Sequence, residues 1–580
     1  MNGKGENVKR VIAWAKDNKF LLLISALAIG YVGLPLATHM MHSGEDLGYH
    51  LLRIENISEG LKDGQFPVKI GPIFLNGYGY ASSLCYPELF LYIPAVLRIL
   101  GVGIEPSYKV FAFLCIAGSY LTMFYAAYRI SGKEKTAASV AAIVYTMSQY
   151  HLANLYTRGS LGETQAFVFF PLVIYGLYNL IFEEYERPWV LGIGFWGLMY
   201  SHTISLVSAL CVAFVLCLIY FKRVVLNGRK FVKLCLTAVI VLMATAAYWM
   251  PFLEQLLSLK MRFGQPWTLI SDNAALLPQI FSINFLDYTY NFDIAILLMC
   301  LLALVLPKCE ENKRQRRTIR WFLIMGFATL WVTSDYFPWK LVQPLLNNIQ
   351  FPWRFYAIAS LFLAVAIGLM AVLKFGSRYR KEIMTGVLAC MVLSGTLYYE
   401  HYKIDYYDIK NDFYTYGENT FNLVQGEWLP KSAEEKYFQP IRDPKTDPEV
   451  KEIVIQDRIV RTDDGRELEF SDIRGQGLQF DFEGACSWLD VPLVWYKGYT
   501  AWLTDESGKR TPCALDGNGF NGTVRLYPES TVNGGTMTVK YTGTAVQHLA
   551  LLLNTVTLAA LAVWWLIRRR KEKSSNVSGR

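Results

Sequence analysis

About a dozen apolar stretches, each near the length needed to cross a bilayer, dominate this chain and leave few ways for it to fold. A transmembrane helix takes about 20 largely apolar residues, within a range of about 17–25. Spans of that kind are expected near 20–38, 107–130, 136–153, 164–182, 188–201, 203–221, 231–251, 290–306, 318–334, 355–373, 382–399 and 547–567. Hydrocarbon offers no partner to a backbone N–H or C=O, so such segments must satisfy themselves as helices. The chain therefore reads as an α-helical polytopic membrane protein, and its 53% hydrophobic and 18% charged residues lie far from a soluble composition.

Lys and Arg decide the orientation, because short loops rich in them stay in the cytoplasm. They gather at the N-terminus (Lys9, Arg10, Lys16, Lys19), at 129–135, 221–233, 308–320 and 374–381, and at 568–573. About twelve crossings put every cluster on one side, which predicts both termini in the cytoplasm. The loops 39–106, 154–163, 252–289 and 335–354 and the region 400–545 are then extracytoplasmic. The stretch 188–221 is the sensitive point, since it must hold two short spans around Tyr200-Ser201-His202 rather than one long helix. The net charge of +8 comes from these topogenic clusters and gives no sign of a nucleic-acid partner. The first span is read as an uncleaved signal anchor.

Three regions follow: a multi-helix membrane domain over 1–399 with a long outer loop at 39–106, a polar domain over 400–545, and a closing helix with a basic tail over 546–580. The polar domain is expected to be β-rich, a sandwich or jelly-roll. Alternating runs at 452–455, 458–461 and 467–470 flank the turn signal Asp463-Asp464-Gly465, and 523–527 and 536–541 continue the pattern. Trp488, Trp495, Tyr496 and Trp502 are expected mainly as core, with stacking on sugar rings as the other reading. Cys486 and Cys513 share this domain and are the pair available for a disulfide on an oxidising side.

The acidic stretch Gly44-Glu45-Asp46-Leu47-Gly48-Tyr49-His50 follows the first span directly. Beyond it, Leu47, Leu51, Ile54 and Leu61 recur at helical spacing, which predicts an amphipathic helix lying on the membrane surface. Asp46, His50 and Arg53 fall at i, i+4 and i+7, one stripe carrying an acid, an imidazole and a guanidinium. The loop goes on through Tyr78, Tyr80 and Glu88. The apolar run 89–100 is too short to cross and is expected in the interface or as a re-entrant piece. Arg158, Glu163, His202, Arg262 and Arg354 join from later segments, and ionisable groups at membrane depth are costly and usually functional.

These segments together resemble a family of bacterial membrane proteins. Glu45-Asp46 through Arg53, 76–80, Tyr86-Pro87-Glu88, Tyr156-Thr157-Arg158-Gly159 with Glu163, Ser201-His202, Phe351-Pro352-Trp353-Arg354-Phe355 and Gly426-Glu427-Trp428-Leu429-Pro430 look like the "6-pyruvoyl-tetrahydropterin synthase-related" membrane proteins, relatives of the YfhO family. The metal-binding histidine cluster of a soluble pterin synthase has no counterpart here. These families are similar to GT-C glycosyltransferases, whose acidic motif after the first helix falls on Glu45 and Asp46.

The resemblance implies transfer of a sugar from a polyprenyl-phosphate donor to an acceptor on the outer face: a polysaccharide, glycolipid or protein of the envelope. Such chemistry needs a base and cations for the departing phosphate. Asp46 is the expected base, with Glu45 as its partner or, if a divalent cation takes part, as a metal ligand beside Asp46. Arg158, Arg262 and Arg354 are expected on phosphate. His50 and Glu163 are expected to orient the sugar or share acid–base work. Arg53, His202, Tyr78, Tyr80 and Glu88 complete the expected binding surface. A lipid-linked sugar transporter and a non-catalytic glycan-binding or assembly protein stay open as alternatives.

Overall fold

The computed structural model describes residues 13, 15–264, 268–280, 291–305, 313–375, 377–413, 423, 426–433, 458–529 and 532–578. All twelve expected stretches form helices. Among the described residues, six helices are long and apolar enough to cross a membrane: Lys19–Ala37, Ile104–Ile130, Leu161–Phe182, Pro352–Leu373, Arg380–Tyr402 and Ala545–Arg570. A seventh forms if Gly228–Met243 and Ala246–Ser258, which meet at 72°, count as one broken span. Of the rest, Lys135–Thr146, Pro188–Ser201, Thr203–Ile219 and Ile294–Val305 fall short of that length, and Lys313–Thr333 opens on too many cations.

The chain folds as two units, each assembled from three separate segments: Met1–Leu47, Tyr108–Thr237 and Pro266–Ile409 in the first, and Gly48–Ser107, Ala238–Gln265 and Lys410–Arg580 in the second. This replaces the contiguous division expected at 399/400. Most of the first outer loop belongs with the β-rich region, because its apolar residues share that region's core.

In the first unit the helix Tyr356–Phe375 is the buried centre, flanked by Lys135–Thr146, Ile294–Val305 and Lys313–Thr333. Small residues allow the close approach that membrane helices depend on. A side chain at Gly368 would place its Cβ 2.3 Å from the Ala137 carbonyl oxygen, so only glycine fits there. The stretch 188–221 breaks at His202, whose extended backbone (φ −157°, ψ 116°) ends Pro188–Ser201 and starts Thr203–Ile219. His202 Nδ1 accepts the Ser205 N–H at 3.2 Å, the bond of an N-cap. An acid in an apolar stretch likewise holds a helix start. Asp293 accepts from the Gln149 N–H (3.1 Å), the Ala295 N–H (2.9 Å) and the Ser394 hydroxyl (2.9 Å) where Ile294–Val305 begins. Two short strands, β1 (Met41–His42) and β2 (Tyr406–Tyr407), pair antiparallel in this unit.

Among the described residues the second unit holds nine further strands: β3 (Val460–Thr462), β4 (Glu467–Leu468), β5 (Ser471–Ile473), β6 (Gly477–Gly484), β7 (Leu489–Val494), β8 (Tyr499–Thr504), β9 (Arg510–Asp516), β10 (Thr523–Tyr527) and β11 (Val532–Tyr541). They form one antiparallel sheet in the order β4-β3-β7-β10-β9-β8-β11-β6-β5. Strand β9 turns the sheet, pairing through Arg510–Cys513 with β8 and through Ala514–Asp516 with β10. The two halves then enclose one core, a half-barrel in place of two separate sheets. The hairpin at Asp463-Asp464-Gly465 is present, with Gly465 at φ +85°. The strand expected at 452–455 lies outside the described residues. Tyr496 is core; Trp488 and Trp502 are half-buried and lie under Arg525 and Arg510. Cys486 and Cys513 are free thiols.

The helix Leu47–Lys62 forms where the periodicity places it, but it is not a surface helix. From Tyr49 to Ser58 every residue is buried, Arg53, Glu55 and Asn56 included. Tyr49 and Leu52 join Phe74, Leu75, Tyr78 and Tyr80 in the core that Leu478, Val491 and Val539 complete. The run 89–100 becomes a short turn and the helix Tyr92–Ile99, whose Ile93, Val96 and Ile99 stand exposed, the apolar face expected of an interfacial piece.

Candidate functional site

The acidic stretch is held in place by its own backbone. The Glu45 N–H donates to the Thr157 carbonyl (3.2 Å) and the Asp46 N–H to the Arg158 carbonyl (2.7 Å), so residues 45–46 lie stitched to 157–158. The close pass needs glycine on the far side: Gly159 sits at φ +62°, and a Cβ there would stand 2.7 Å from the Leu47 Cβ. Gly159→Ala should therefore cost about 2–4 kcal/mol from left-handed strain and overpacking. Thermal unfolding of the purified variant measures this, and an unchanged midpoint would mean the turn is not under that constraint.

Glu163, in the first turn of Leu161–Phe182, is the hub of the cluster. Its Oε1 accepts from Arg158 Nη1 (2.7 Å) and Arg354 Nε (3.0 Å), and its Oε2 accepts the Tyr150 hydroxyl (2.7 Å). A carboxylate there also benefits from the positive end of its helix. Arg158, which follows a π-turn at Ala153–Thr157, donates in addition to Asn154 Oδ1 (2.7 Å). Arg354 donates to the Ile349 carbonyl (2.6 Å) and Gln350 Oε1 (3.1 Å), and its guanidinium lies 5.1 Å from the Phe351 ring centre.

Asp46 stands at the edge of this cluster, its Oδ2 3.9 Å from Arg158 Nη2, with 29% of its side chain exposed against 4% for Glu163. Burial holds the Asp46 carboxyl above the ordinary carboxylate value, opposed by Arg158 and Arg354 and reinforced by Glu163. His202 lies close enough to act electrostatically on Glu163. Two carboxylates and two guanidiniums thus meet in the first unit, one acid locked and the other accessible.

The second unit gathers a different set. Arg53 donates through Nε to Glu88 (3.0 Å) and through Nη2 to the Pro87 carbonyl (2.7 Å), its Nη1 lies 3.2 Å from His50 Nδ1, and its guanidinium stacks 4.1 Å from the Tyr86 ring centre. Arg53 is 1% exposed, so the expected stripe of Asp46, His50 and Arg53 does not form. Asp46 lies on the turn before the helix and pairs with Arg158, while Arg53 turns inward to Glu88. Burial raises the Glu88 carboxyl above its usual range, and Arg53 pulls it back. Tyr80 is buried and its hydroxyl accepts the Trp428 N–H (3.1 Å). The Tyr78 carbonyl accepts the Val494 N–H (2.9 Å). Arg262 donates its backbone N–H to the Leu429 carbonyl and its guanidinium to the Ala433 carbonyl, which makes it a clasp on that segment.

The family model for "6-pyruvoyl-tetrahydropterin synthase related domain; membrane protein" matches residues 85–402, more than half of the chain. The chain belongs to this family. No curated protein matches this PTPS-related membrane protein. Among solved structures it is similar to the arabinofuranosyltransferase AftD from Mycobacteria, at 14% identity and a TM-score of 0.41 over 65% of this chain. The chain spans about a quarter of that structure's length (27%), and a likeness at this level is no guide to chemistry.

Among the described residues of the PTPS-related protein, no group of three or more His, Cys, Asp and Glu side chains converges on a metal position. Glu45 is exposed and Asp46 faces Arg158. Tyr150, Asn154 and Gln350 were not foreseen. Tyr150 and Asn154 sit in a buried apolar helical stretch and carry no sequence signal, whereas Gln350, at φ +66° just before Phe351-Pro352, follows a polar Asn347-Asn348 turn.

Proposed function

We propose that this membrane protein is a glycosyltransferase that moves a sugar from a polyprenyl-phosphate carrier to an acceptor hydroxyl. The observation that supports it is the accessible Asp46 beside two buried arginines, at the starts of two helices long enough to cross the bilayer. A lipid phosphate reaches such a position from the membrane, and a soluble or surface acceptor reaches it from water.

Asp46 acts as the base. It takes the acceptor's hydroxyl proton as the acceptor oxygen bonds to the anomeric carbon, and the bond from that carbon to the phosphate oxygen breaks. The electron pair leaves on the polyprenyl phosphate, where the Arg158 and Arg354 guanidiniums offset the growing charge. Glu163 is given a positioning role in place of the acid–base work expected of it, because both its oxygens are spent on Arg158, Arg354 and Tyr150. The Lys and Arg clusters support an extracytoplasmic site with both termini inside, and the acceptor in this reading is an envelope polysaccharide, glycolipid or protein.

The test uses the full chain in proteoliposomes with labelled polyprenyl-phosphate pentoses and hexoses and crude envelope acceptors. Release of polyprenyl phosphate that depends on added acceptor is expected. Label that crosses sealed vesicles with its lipid still attached, or no turnover of any donor, would replace this reading by transport or by binding alone.

A further inference from the structure

The closing helix Ala545–Ser578 changes character along its length. Near its start Gln547, Ala550, Asn554 and Thr557 are buried, spaced as one face of a helix, and the helix Ala246–Ser258 packs against it. Further on that cover is gone: from Ala562 to Arg570 every residue is exposed. This bare stretch reads Ala562-Val563-Trp564-Trp565-Leu566-Ile567 and then Arg568-Arg569-Arg570, followed by Lys571-Glu572-Lys573, five cations against one acid.

Helix geometry fixes the depth of these groups in a bilayer. From Ala545 to Trp564 the helix rises about 30 Å at 1.5 Å per residue, the thickness of a hydrocarbon core. Trp564 and Trp565, 55% and 52% exposed, thus stand at the headgroup level that tryptophan favours. Helical side chains lean back toward the N-terminus, and Arg568 and Arg569 do so. Their guanidiniums lie 5.5 and 5.1 Å from the ring centres of Trp564 and Trp565, one turn nearer the bilayer. Arg568, Arg569 and Arg570 follow one another at about 100° round the axis, so their positions encircle the helix instead of sharing one face. Among the described residues neither Arg569 nor Arg570 has an ion pair. A role in setting topology explains why cations stand here during insertion, but it supplies no counter-charge afterwards.

We infer that this basic collar binds anionic phospholipid headgroups, which makes the bilayer the partner of the helix's bare half. Charge and depth select this occupant together. A nucleic acid or an acidic protein would have to reach guanidiniums drawn back onto tryptophans at the membrane boundary, whereas lipid phosphates already lie at that level. A zwitterionic headgroup cancels its own phosphate, so the preference is for lipids of net negative charge, about fivefold for each cation close to the surface. This binding goes beyond the transfer reaction proposed above and does not depend on Asp46.

The full chain is reconstituted in liposomes of phosphatidylcholine and phosphatidylglycerol in equal amounts, with one or the other carrying a photoactivatable group near its headgroup. After illumination, labelling of peptides from 558–580 is quantified by mass spectrometry. Phosphatidylglycerol should label this segment at least about fivefold more than phosphatidylcholine. Arg568→Gln, Arg569→Gln and Arg570→Gln combined, all at exposed side chains, should bring the two lipids near parity with the unfolding midpoint unchanged. High salt should do the same to the parent, with no substitution to disturb insertion. Arg316→Gln with Arg317→Gln, in the basic start of Lys313–Thr333, should leave the ratio at 558–580 as it is. Equal labelling by both lipids in the parent overturns the inference, as does a preference that survives both the triple substitution and high salt. Cross-links from this segment to a second copy of the chain in place of lipid would overturn it too, and would give the bare half to an oligomer.

Discussion

Asparagine at position 46 should lower acceptor-dependent release of polyprenyl phosphate about 10²–10⁴-fold, the range that a positioned general base contributes. The substitution keeps the shape, and the backbone bonds that pin Asp46 do not involve its carboxylate, so the fold should persist. The pH profile is the sharper readout. A base works only when ionised, and burial raises the Asp46 carboxyl above the ordinary carboxylate value. The parent's rate should therefore climb as pH rises through that elevated value, and Asp46→Asn should lose this limb altogether. Initial rates of release across the acidic range measure both. A variant that retains full activity and the same limb removes Asp46 as the base and turns attention to Glu45.

Removing Glu163 should produce a large loss of stability. Its carboxylate is the shared partner of Arg158 and Arg354, each 9% exposed or less at the side chain. Glu163→Ala takes the counter-charge from Arg354 and leaves Arg158 with only the more distant Asp46 carboxylate (3.9 Å), and breaking a buried pair in this way typically costs about 3–5 kcal/mol. Glu163→Gln should cost less, because an amide oxygen still accepts from an arginine and from Tyr150 in turn. Thermal unfolding in detergent distinguishes the two. Equal midpoints for parent and Glu163→Ala would mean that the arginines are held by Asn154, Ile349 and Gln350 instead.

Much of this was legible from the chain. Apolar length located the twelve expected helical stretches, and even the break at His202 was marked by a polar triplet between two short apolar runs. Charge at membrane depth picked out Arg158, Glu163 and Arg354, because burying such groups is costly unless they pair. Pairing itself was not legible. The periodicity of Leu47, Leu51, Ile54 and Leu61 describes an amphipathic helix correctly, but nothing in it says that the polar face is covered too. Arg53 is buried only because Glu88, distant in sequence, meets it. Likewise, Asp46 and Arg53 share a face in an ideal helix, and the turn that starts this helix one residue late sends Asp46 to Arg158.

The three-part construction of each unit also dictates an order of events during synthesis. The helix Leu47–Lys62, with its interior Arg53 and Glu55, leaves the ribosome long before the residues that enclose it. Tyr80 waits for the backbone of Trp428, and Tyr78 for that of Val494. Neither unit is sealed until its third segment arrives, so early polar helices must be sheltered in the meantime. Long-range closure of this kind is slow and leaves apolar surface open. A chain halted near residue 400 would thus hold one unit nearly finished and the other without its sheet, a natural substrate for membrane quality-control proteases.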